Sequence, residues 1–404
     1  MPHMMFPFPS HGRCCLNPTR AVPGALADWK RDRSWNCTEH IRTVTASLLA
    51  CVLGSACNVA DAPDPTTDLR RLCDAAECTI ELEHVATLSD SFEPGAISVS
   101  RSLWVLRDKQ GRFFMPGLPL TRVLVFDSTG RFHSTIGRRG EGPGEFERVV
   151  GILTGTEGDS VYIADFLLRR LTVLAPDLNV ARVQSMPRMP TLMRDDGSFI
   201  LAEQIRTAER SGYPVHTLDA GGSIVQSFGI DTPQYRPDLT RLLNRVVAPA
   251  RGGRVWTAAP GRYVLERWDP DSGRREARLI VPSSWFRESD RPEPDTERPS
   301  PIIVGIWEDA DSLVWVLHRD ADSGWQPEPL GHVPLDFDLY GKLHDWVIEV
   351  IDPVSARVLA SRRFPEYLGY RAPSALLVSI REVEFSGTVL DIWRPVLQPK
   401  GGSS

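Results

Sequence analysis

The chain of 404 residues has no cysteine after Cys78 and only two asparagines, Asn179 and Asn244, after residue 58. It carries no Gly-x-Ser-x-Gly elbow, no His-Glu-x-x-His and no paired-Cys zinc signature, so the sequence gives hydrolase chemistry no direct support. It lacks a basic excess: 46 Lys and Arg face 52 Asp and Glu, a net charge of −6. A nucleic-acid partner would want a clustered basic face, so none is expected. Stretches with helical period are almost missing after residue 80, which excludes a helical domain there.

What is present is enough apolar material to fold. Hydrophobic residues make up 42% of the chain and 11 Trp are spread along it. That suits one large globular domain or two ordinary ones rather than a disordered chain. The N-terminal part reads differently. Residues 1–40 have no periodicity and several prolines. In "IRTVTASLLACVLGSACNVADAPDPTTD", Arg42 precedes an apolar stretch, Val44 to Leu53, too short to span a bilayer as a helix. Gly54-Ser55-Ala56 then leads into Cys57. A basic flank, a short apolar core and small residues form an export signal. With Cys57 at its end the stretch resembles a bacterial lipoprotein signal, which implies lipidation of Cys57 and a place in the cell envelope, touching membrane only through that anchor; Gly54 stands where that pattern prefers Leu, Cys51 after Leu48-Leu49-Ala50 fits the box better but leaves a very short apolar core, and the bland alternative is an ordinary buried helix. Residues 1–57 are therefore expected to be leader and signal, 58–72 a polar tether, 73–398 the folded domain and 399–404 a tail. In an exported protein, Cys73 and Cys78 favour a local disulfide; two thiols without nearby His or further Cys make a poor zinc site.

From about residue 80, short Val/Ile/Leu/Phe/Trp runs are cut by Asp and Gly turns. One series of strand pairs turns at Asp127, Asp177, Asp219, Asp269 and Asp352. A second series precedes each: "LWVLRDKQGRFFM", "ILTGTEGDSVYIAD", "TLMRDDGSFILAE", "VVAPARGGRVWTAA" and "GIWEDADSLVWVLH". Four strands every ~40–50 residues is the period of propeller blades. Five units are complete, and a sixth, "SIREVEFSGTVLDIWRPVLQ", stops short of its last strand, its inner strands expected around Arg381 to Phe385 and Thr388 to Arg394 and a third near Val396. "TIELEHVATLSD", Thr79 to Asp90, is available to complete it, with a bulge expected at Glu83-His84 where its alternation slips. The expected fold is all-β: a six-bladed β-propeller whose last blade is closed by an N-terminal strand.

"GRRGEGPGEFERVVGILTGTEGDSVYIADFLLRRLTVL" resembles the NHL repeat of six-bladed propellers. The matching residues are the Gly-rich loop ending in Phe146, Gly151-Ile152, Gly158, the "VYIAD" strand to Asp165, and Arg170; Val150 and Leu168 depart from the family's Pro and Asn. The resemblance implies an exported propeller of the kind found in environmental bacteria. It makes the Gly-rich stretch a connector between blades, with Phe146 as its plug. A phosphate loop would need Lys and Ser/Thr opening a helix.

In a blade of strands a to d, the d–a and b–c connections share one face and the short a–b and c–d turns share the other. The long insertions all fall on the first face, and long loops on a rigid scaffold are where binding concentrates. The expected function is recognition of a ligand or protein, of unknown identity, through that rim. Its candidates are Arg138, Arg139, Glu141, Arg169 and Arg170 from the connectors, and His318, Trp325 and Tyr340 from the blade-five loop, which also carries His332, His344, Asp336 and Asp338. The connector charges could hold an anion or merely salt-bridge each other at the surface; the three His and two Asp of the blade-five loop could hold a metal in a propeller mouth, but their spacings are loose and the histidines read as loop residues in solvent. No catalytic residue and no cofactor is evident. The alternative is a metal-dependent propeller hydrolase similar to lactonases and gluconolactonases, which would bring calcium held by Glu, Asn and Asp; the scarcity of Asn weighs against it. A peptide-amide lyase would need clustered His and more disulfides. Mass spectrometry of membrane fractions checks the export reading: the mature chain should begin at a lipidated Cys57, and an unprocessed 1–56 segment would refute it.

Overall fold

The computed structural model describes residues 73, 77–97, 105–155, 160–207, 209–231, 244–290, 297–327, 341, 343–383 and 387–400. Cys57, the tether at 58–72 and the tail beyond 400 lie outside the described residues. Residues 61–404 form one compact unit.

That unit is a six-bladed β-propeller of six four-stranded antiparallel sheets. The N-terminal strand is β1 (Cys78–Ser89). Blade one is β2 (Leu106–Arg107), β3 (Phe113–Gly117), β4 (Arg122–Phe126) and β5 (Phe132–Ile136). Blade two is β6 (Val149–Thr154), β7 (Val161–Asp165), β8 (Arg170–Leu174) and β9 (Val180–Ser185). Blade three is β10 (Leu192–Met193), β11 (Phe199–Leu201), β12 (Val215–Leu218) and β13 (Ile224–Phe228). Blade four is β14 (Val246–Ala250), β15 (Arg254–Ala258), β16 (Val264–Asp269) and β17 (Arg274–Ile280). Blade five is β18 (Ile302–Glu308), β19 (Val314–Ala321), β20 (His344–Asp352) and β21 (Arg357–Phe364). Blade six is β22 (Gly369–Tyr370), β23 (Leu377–Val383) and β24 (Gly387–Pro399), with β1 as its outermost strand.

The c–d turns show why the Asp signal repeats. In each of blades one to five the turn Asp accepts from the backbone N–H two residues on: Thr129 on Asp127, Asn179 on Asp177, Gly221 on Asp219, Asp271 on Asp269 and Val354 on Asp352. Such an Asx turn replaces a backbone turn bond with a side-chain one. A bulge follows in all five pairs, as at Val125/Phe126 and Val173/Leu174.

The core lies between the blades rather than in the middle of the ring. Separate apolar clusters fill the gaps one–two, two–three, three–four and four–five, and one larger cluster joins blades five, six and one. Side chains also reach from one blade to a backbone carbonyl of the next: Arg112 to Pro176, Gln184 to Ala220, Thr217 to Pro270, Arg251 to Ala310 and Arg362 to Ile80.

The Gly-rich stretch is a connector. Phe146 is fully buried between blades one and two, and its N–H donates to the Arg138 carbonyl at 2.8 Å. Gly137 has φ +86°, and a Cβ there would stand 2.3 Å from the Phe146 ring. Only glycine fits both demands.

The ring closes as the sequence suggests, with one correction. β1 pairs antiparallel with β24 from Cys78↔Pro399 to Ser89↔Val389, and its register shifts between His84 and Ala86. The expected third strand near Val396 does not exist: Val396 continues β24, and the innermost strand is β22, whose Gly369 and Tyr370 are too few to show a period. The expected strand at Arg381 to Phe385 is the latter part of β23, and Phe385 lies outside the described residues. Cys73 and Cys78 form a disulfide beside this closure. Deleting residues 79–88 removes the partner of β24 and should give aggregation or a large loss of stability; a monomer with unchanged thermal unfolding would show that the closure is dispensable.

Candidate functional site

Where the six inner strands turn back, the a–b turns surround a cavity of about 1020 Å³. Its walls come from every blade: Leu106 to Lys109 and Gly111, Thr154 and Gly155, Leu192 to Asp195, Pro249 to Val255, Glu308 to Ala310, and Pro373 to Leu376. It therefore opens on the short-turn face, opposite the long connectors. Met193, Pro249, Ala250 and Leu376, each half-buried, form an apolar part of its wall.

Charged side chains ring the mouth, and the turns that carry them decide how each is engaged. Asp108 accepts from the Arg112 N–H and Nε, both at 2.8 Å. Glu308 accepts from Trp256 Nε1 at 2.7 Å and from the Arg251 N–H at 3.4 Å. Asp309 accepts from Trp315 Nε1 at 2.7 Å and from the N–H groups of Asp311 and Leu313 at 2.9 Å. Burial outweighs these donors and pushes its carboxyl above the usual range. Arg194 makes a bidentate pair with Asp271 of the next blade at 2.7 and 3.0 Å. Arg254 Nε lies 2.9 Å from Glu276. Arg251 donates to Ser312 Oγ at 3.0 Å and to the Ala310 carbonyl at 2.6 Å. Arg107 Nε donates to the Gly111 carbonyl at 3.4 Å, and its guanidinium lies 5.4 Å from the Phe113 ring centroid. The sequence reading passed over this set because these turns are short; the signal available to it was charge at nearly every one of them.

The expected rim residues have other engagements. Arg138 pairs with Glu145 at 2.7 Å and Arg139 with Glu147 at 3.4 Å. Arg170 donates to the carbonyls of Glu141, Gly142 and Glu145 at 2.6 to 2.8 Å, clamping the connector on which Glu141 stands exposed. Arg169 is exposed, in a left-handed conformation at φ +48°. Trp325 is half-buried, and its N–H donates to the Asp322 carbonyl at 3.1 Å. Tyr340, His332, Asp336 and Asp338 lie outside the described residues.

His318 and His344 are not solvated loop residues, because β19 and β20 run further than their sequence periods suggested. Both are buried, and His318 has no exposed surface. Its ring meets Tyr263, Trp285 and Phe286 edge-on at centroid distances of 4.7, 5.1 and 5.4 Å. Nε2 stands 3.5 Å from Glu349, which also accepts from the Tyr263 hydroxyl and from Trp285 Nε1. Burial pushes His318 down against the pull of that carboxylate. Burial pushes Glu349 up, but His318, Tyr263 and Trp285 together hold it below the usual range. The cluster thus ties the connector between blades four and five to blade five. Asn179 sits exposed on a c–d turn and Asn244 is exposed ahead of β14; neither lines the cavity. Among the described residues no three His, Cys, Asp or Glu gather as metal ligands, and no helix is long and apolar enough to cross a membrane.

A histidine that the sequence reading left aside gives a measurable pH dependence. His216 is fully buried, with Ser227 Oγ 2.8 Å from Nδ1 and the Glu203 carbonyl 3.1 Å from Nε2. Burial, aided by Arg210 and Arg188, lowers its pKa to about 4. Below about pH 6.5 the unfolded chain takes a proton that the native ring refuses until about pH 4. Stability should therefore be whole above that window and fall through it, by up to about 3 kcal/mol from this residue. Urea unfolding of the chain and of His216→Gln across the window checks this: the variant's slope with pH should be flatter by about one proton, and equal slopes would refute it.

A family model described as a six-bladed β-propeller, DUF5128, matches residues 106–181. No curated protein matches the chain. Among solved structures, a member of the DUF4221 family from Bacteroides vulgatus is similar over 80% of this chain and 99% of its own, with a TM-score of 0.56 and 10% identity. A Bacteroides fragilis protein whose description proposes that it is exported is similar over 80% of this chain and 95% of its own, with a TM-score of 0.50 and 12% identity. At such identities the likeness is one of fold, and it agrees with the six sheets of the ring.

Proposed function

We propose that this chain is an exported binding protein that takes its ligand in the mouth of the central channel, on the short-turn face of the propeller. The observation that carries this reading is the cavity of about 1020 Å³, to which all six blades contribute. It is of the size of small-molecule sites, with an apolar wall and a few placed polar groups. The long-loop rim takes second place, because Arg138, Arg139 and Arg170 are engaged by their own connectors. Export is supported by the signal ending at Cys57, by the disulfide between Cys73 and Cys78, which suits an oxidising compartment, and by the proposed export of the Bacteroides fragilis protein. An anchor at Cys57 would hold the chain in the cell envelope. The hydrolase alternative gains no specific support from the cavity's donors.

Filling the cavity tests the reading. At Gly155 an added Cβ meets nothing closer than Asp195 Oδ1 at 3.5 Å, so Gly155→Trp should fold and place an indole in the mouth. A ligand at a hundredfold its Kd should stabilise the parent by about 2.7 kcal/mol. A thermal-shift screen should then find compounds that raise the parent's Tm but not the variant's. Equal responses in both proteins would move the site elsewhere.

A further inference from the structure

We infer that the ligand of this mouth is a dianion, with two carboxylate or phosphate groups joined by an apolar body, held between Arg107 and Arg251. This rests on the channel-mouth reading above. Five cations, Arg107, Lys109, Arg194, Arg251 and Arg254, share the cavity wall with four anions, Asp108, Asp195, Glu308 and Asp309. The anions are engaged within the protein: Asp108 by Arg112, Glu308 by Trp256, Asp309 by Trp315 and its own turn, and Asp195 also has a partner. Arg194 and Arg254 are neutralised by Asp271 and Glu276.

Arg107 and Arg251 differ from these. Every acceptor of their guanidinium groups is neutral: the Gly111 carbonyl for Arg107, Ser312 Oγ and the Ala310 carbonyl for Arg251. Among the described residues no carboxylate pairs with either guanidinium, so neither is held in an ion pair at the cavity wall. Arg107 belongs to blade one and Arg251 to blade four, three places on in a ring of six, so they line the cavity from opposite sides of the ring. Met193, Pro249, Ala250 and Leu376 supply apolar surface in the same cavity. A guanidinium fork matches a carboxylate or phosphate bidentately, and its weak hydration makes the exchange of water for an anion favourable. Two forks with apolar wall in the same cavity select a molecule charged at both ends and greasy in the middle.

Isothermal titration of the full chain with unbranched α,ω-dicarboxylates from succinate to sebacate tests the inference, beside the matching monocarboxylates, α,ω-diamines and α,ω-bisphosphates. One chain length should bind best. Its monocarboxylate should bind at least about tenfold more weakly, and added salt should weaken binding. Arg107→Gln and Arg251→Gln should each cost at least about tenfold, Arg107→Gln with unchanged thermal unfolding of the free protein and Arg251→Gln with only the modest drop expected from its lost bonds to blade five, and Arg107→Lys should recover part of the loss. The bisphosphate arm tells phosphate from carboxylate. Equal affinity for the mono- and dicarboxylate, unchanged binding in either Gln variant, or no binding of any dianion at millimolar concentration overturns the inference. If diamines or neutral compounds bind and Gly155→Trp abolishes that binding, the dianion falls and the channel-mouth reading stands. If Gly155→Trp leaves all binding intact, both fall.

Discussion

The pairing of β1 with β24 is the interaction on which the rest of the fold depends. A propeller has no single core; each blade is stabilised by its two neighbours, and an open ring leaves one blade half covered and one strand edge free. The join is made by residues about as far apart as the chain allows. Asp90, fully buried, accepts from the Thr388 N–H at 2.9 Å and the Gly95 N–H at 2.7 Å, across 298 positions in the first case. Hydrogen bonds to a charged acceptor contribute ~1.5–3 kcal/mol each, and a buried carboxylate stripped of such donors is strongly unfavourable. Contacts of this separation also carry a large loop-closure cost, which the buried donors and the apolar cluster at the join offset.

The connectors repeat the same device on a smaller scale. Asp165 is fully buried at the end of β7 and accepts from the N–H groups of Glu147, Arg148, Leu167 and Leu168 at 2.7 to 3.2 Å. One carboxylate thereby fixes both the b–c turn of blade two and the entry into that blade. Arg170, next on β8, completes the bracket by taking three carbonyls of the Gly-rich stretch. Phe146 can be a plug only because these polar groups hold its backbone in place, and Gly137 leaves it room.

Much of this was legible in the sequence, because a four-stranded blade writes its period into strand and turn residues alike. The Asp turns, the six-fold count, the closing strand, its bulge and the short disulfide all follow from local pattern. What escaped depends on partners distant in sequence. Two residues of β22 carry no period, so the innermost strand of blade six was misplaced onto Val396. His318 looked like a loop residue because the polar run Arg319-Asp320 hid the continuation of β19, whereas Tyr263, Trp285 and Glu349 bury it from three other segments. Arg170 was expected to meet an anion or a salt-bridge partner, whereas its acceptors are backbone carbonyls, which composition cannot reveal.

The difference between the long-loop face and the short-turn face follows from what loop length measures. Length reports how much insertion a scaffold tolerates, whereas a cavity requires concavity, which in a ring of blades comes from the convergence of inner strands whatever their loops do. Short turns are also the more demanding hosts for charge. A turn of a few residues spends its Asp on its own N–H groups, as Asp108 and Asp309 do, so its acids are withdrawn from the mouth while a long Arg side chain can still reach it. Where the next blade offers an acid, as Asp271 does for Arg194, the charge is consumed in stapling blades together. Where it offers only a carbonyl or a hydroxyl, as Ala310 and Ser312 do for Arg251, the staple is made and the charge survives. The electrostatic character of the mouth is thus a residue of the way the blades are joined: the same inter-blade contacts determine which of its guanidinium groups are held in ion pairs.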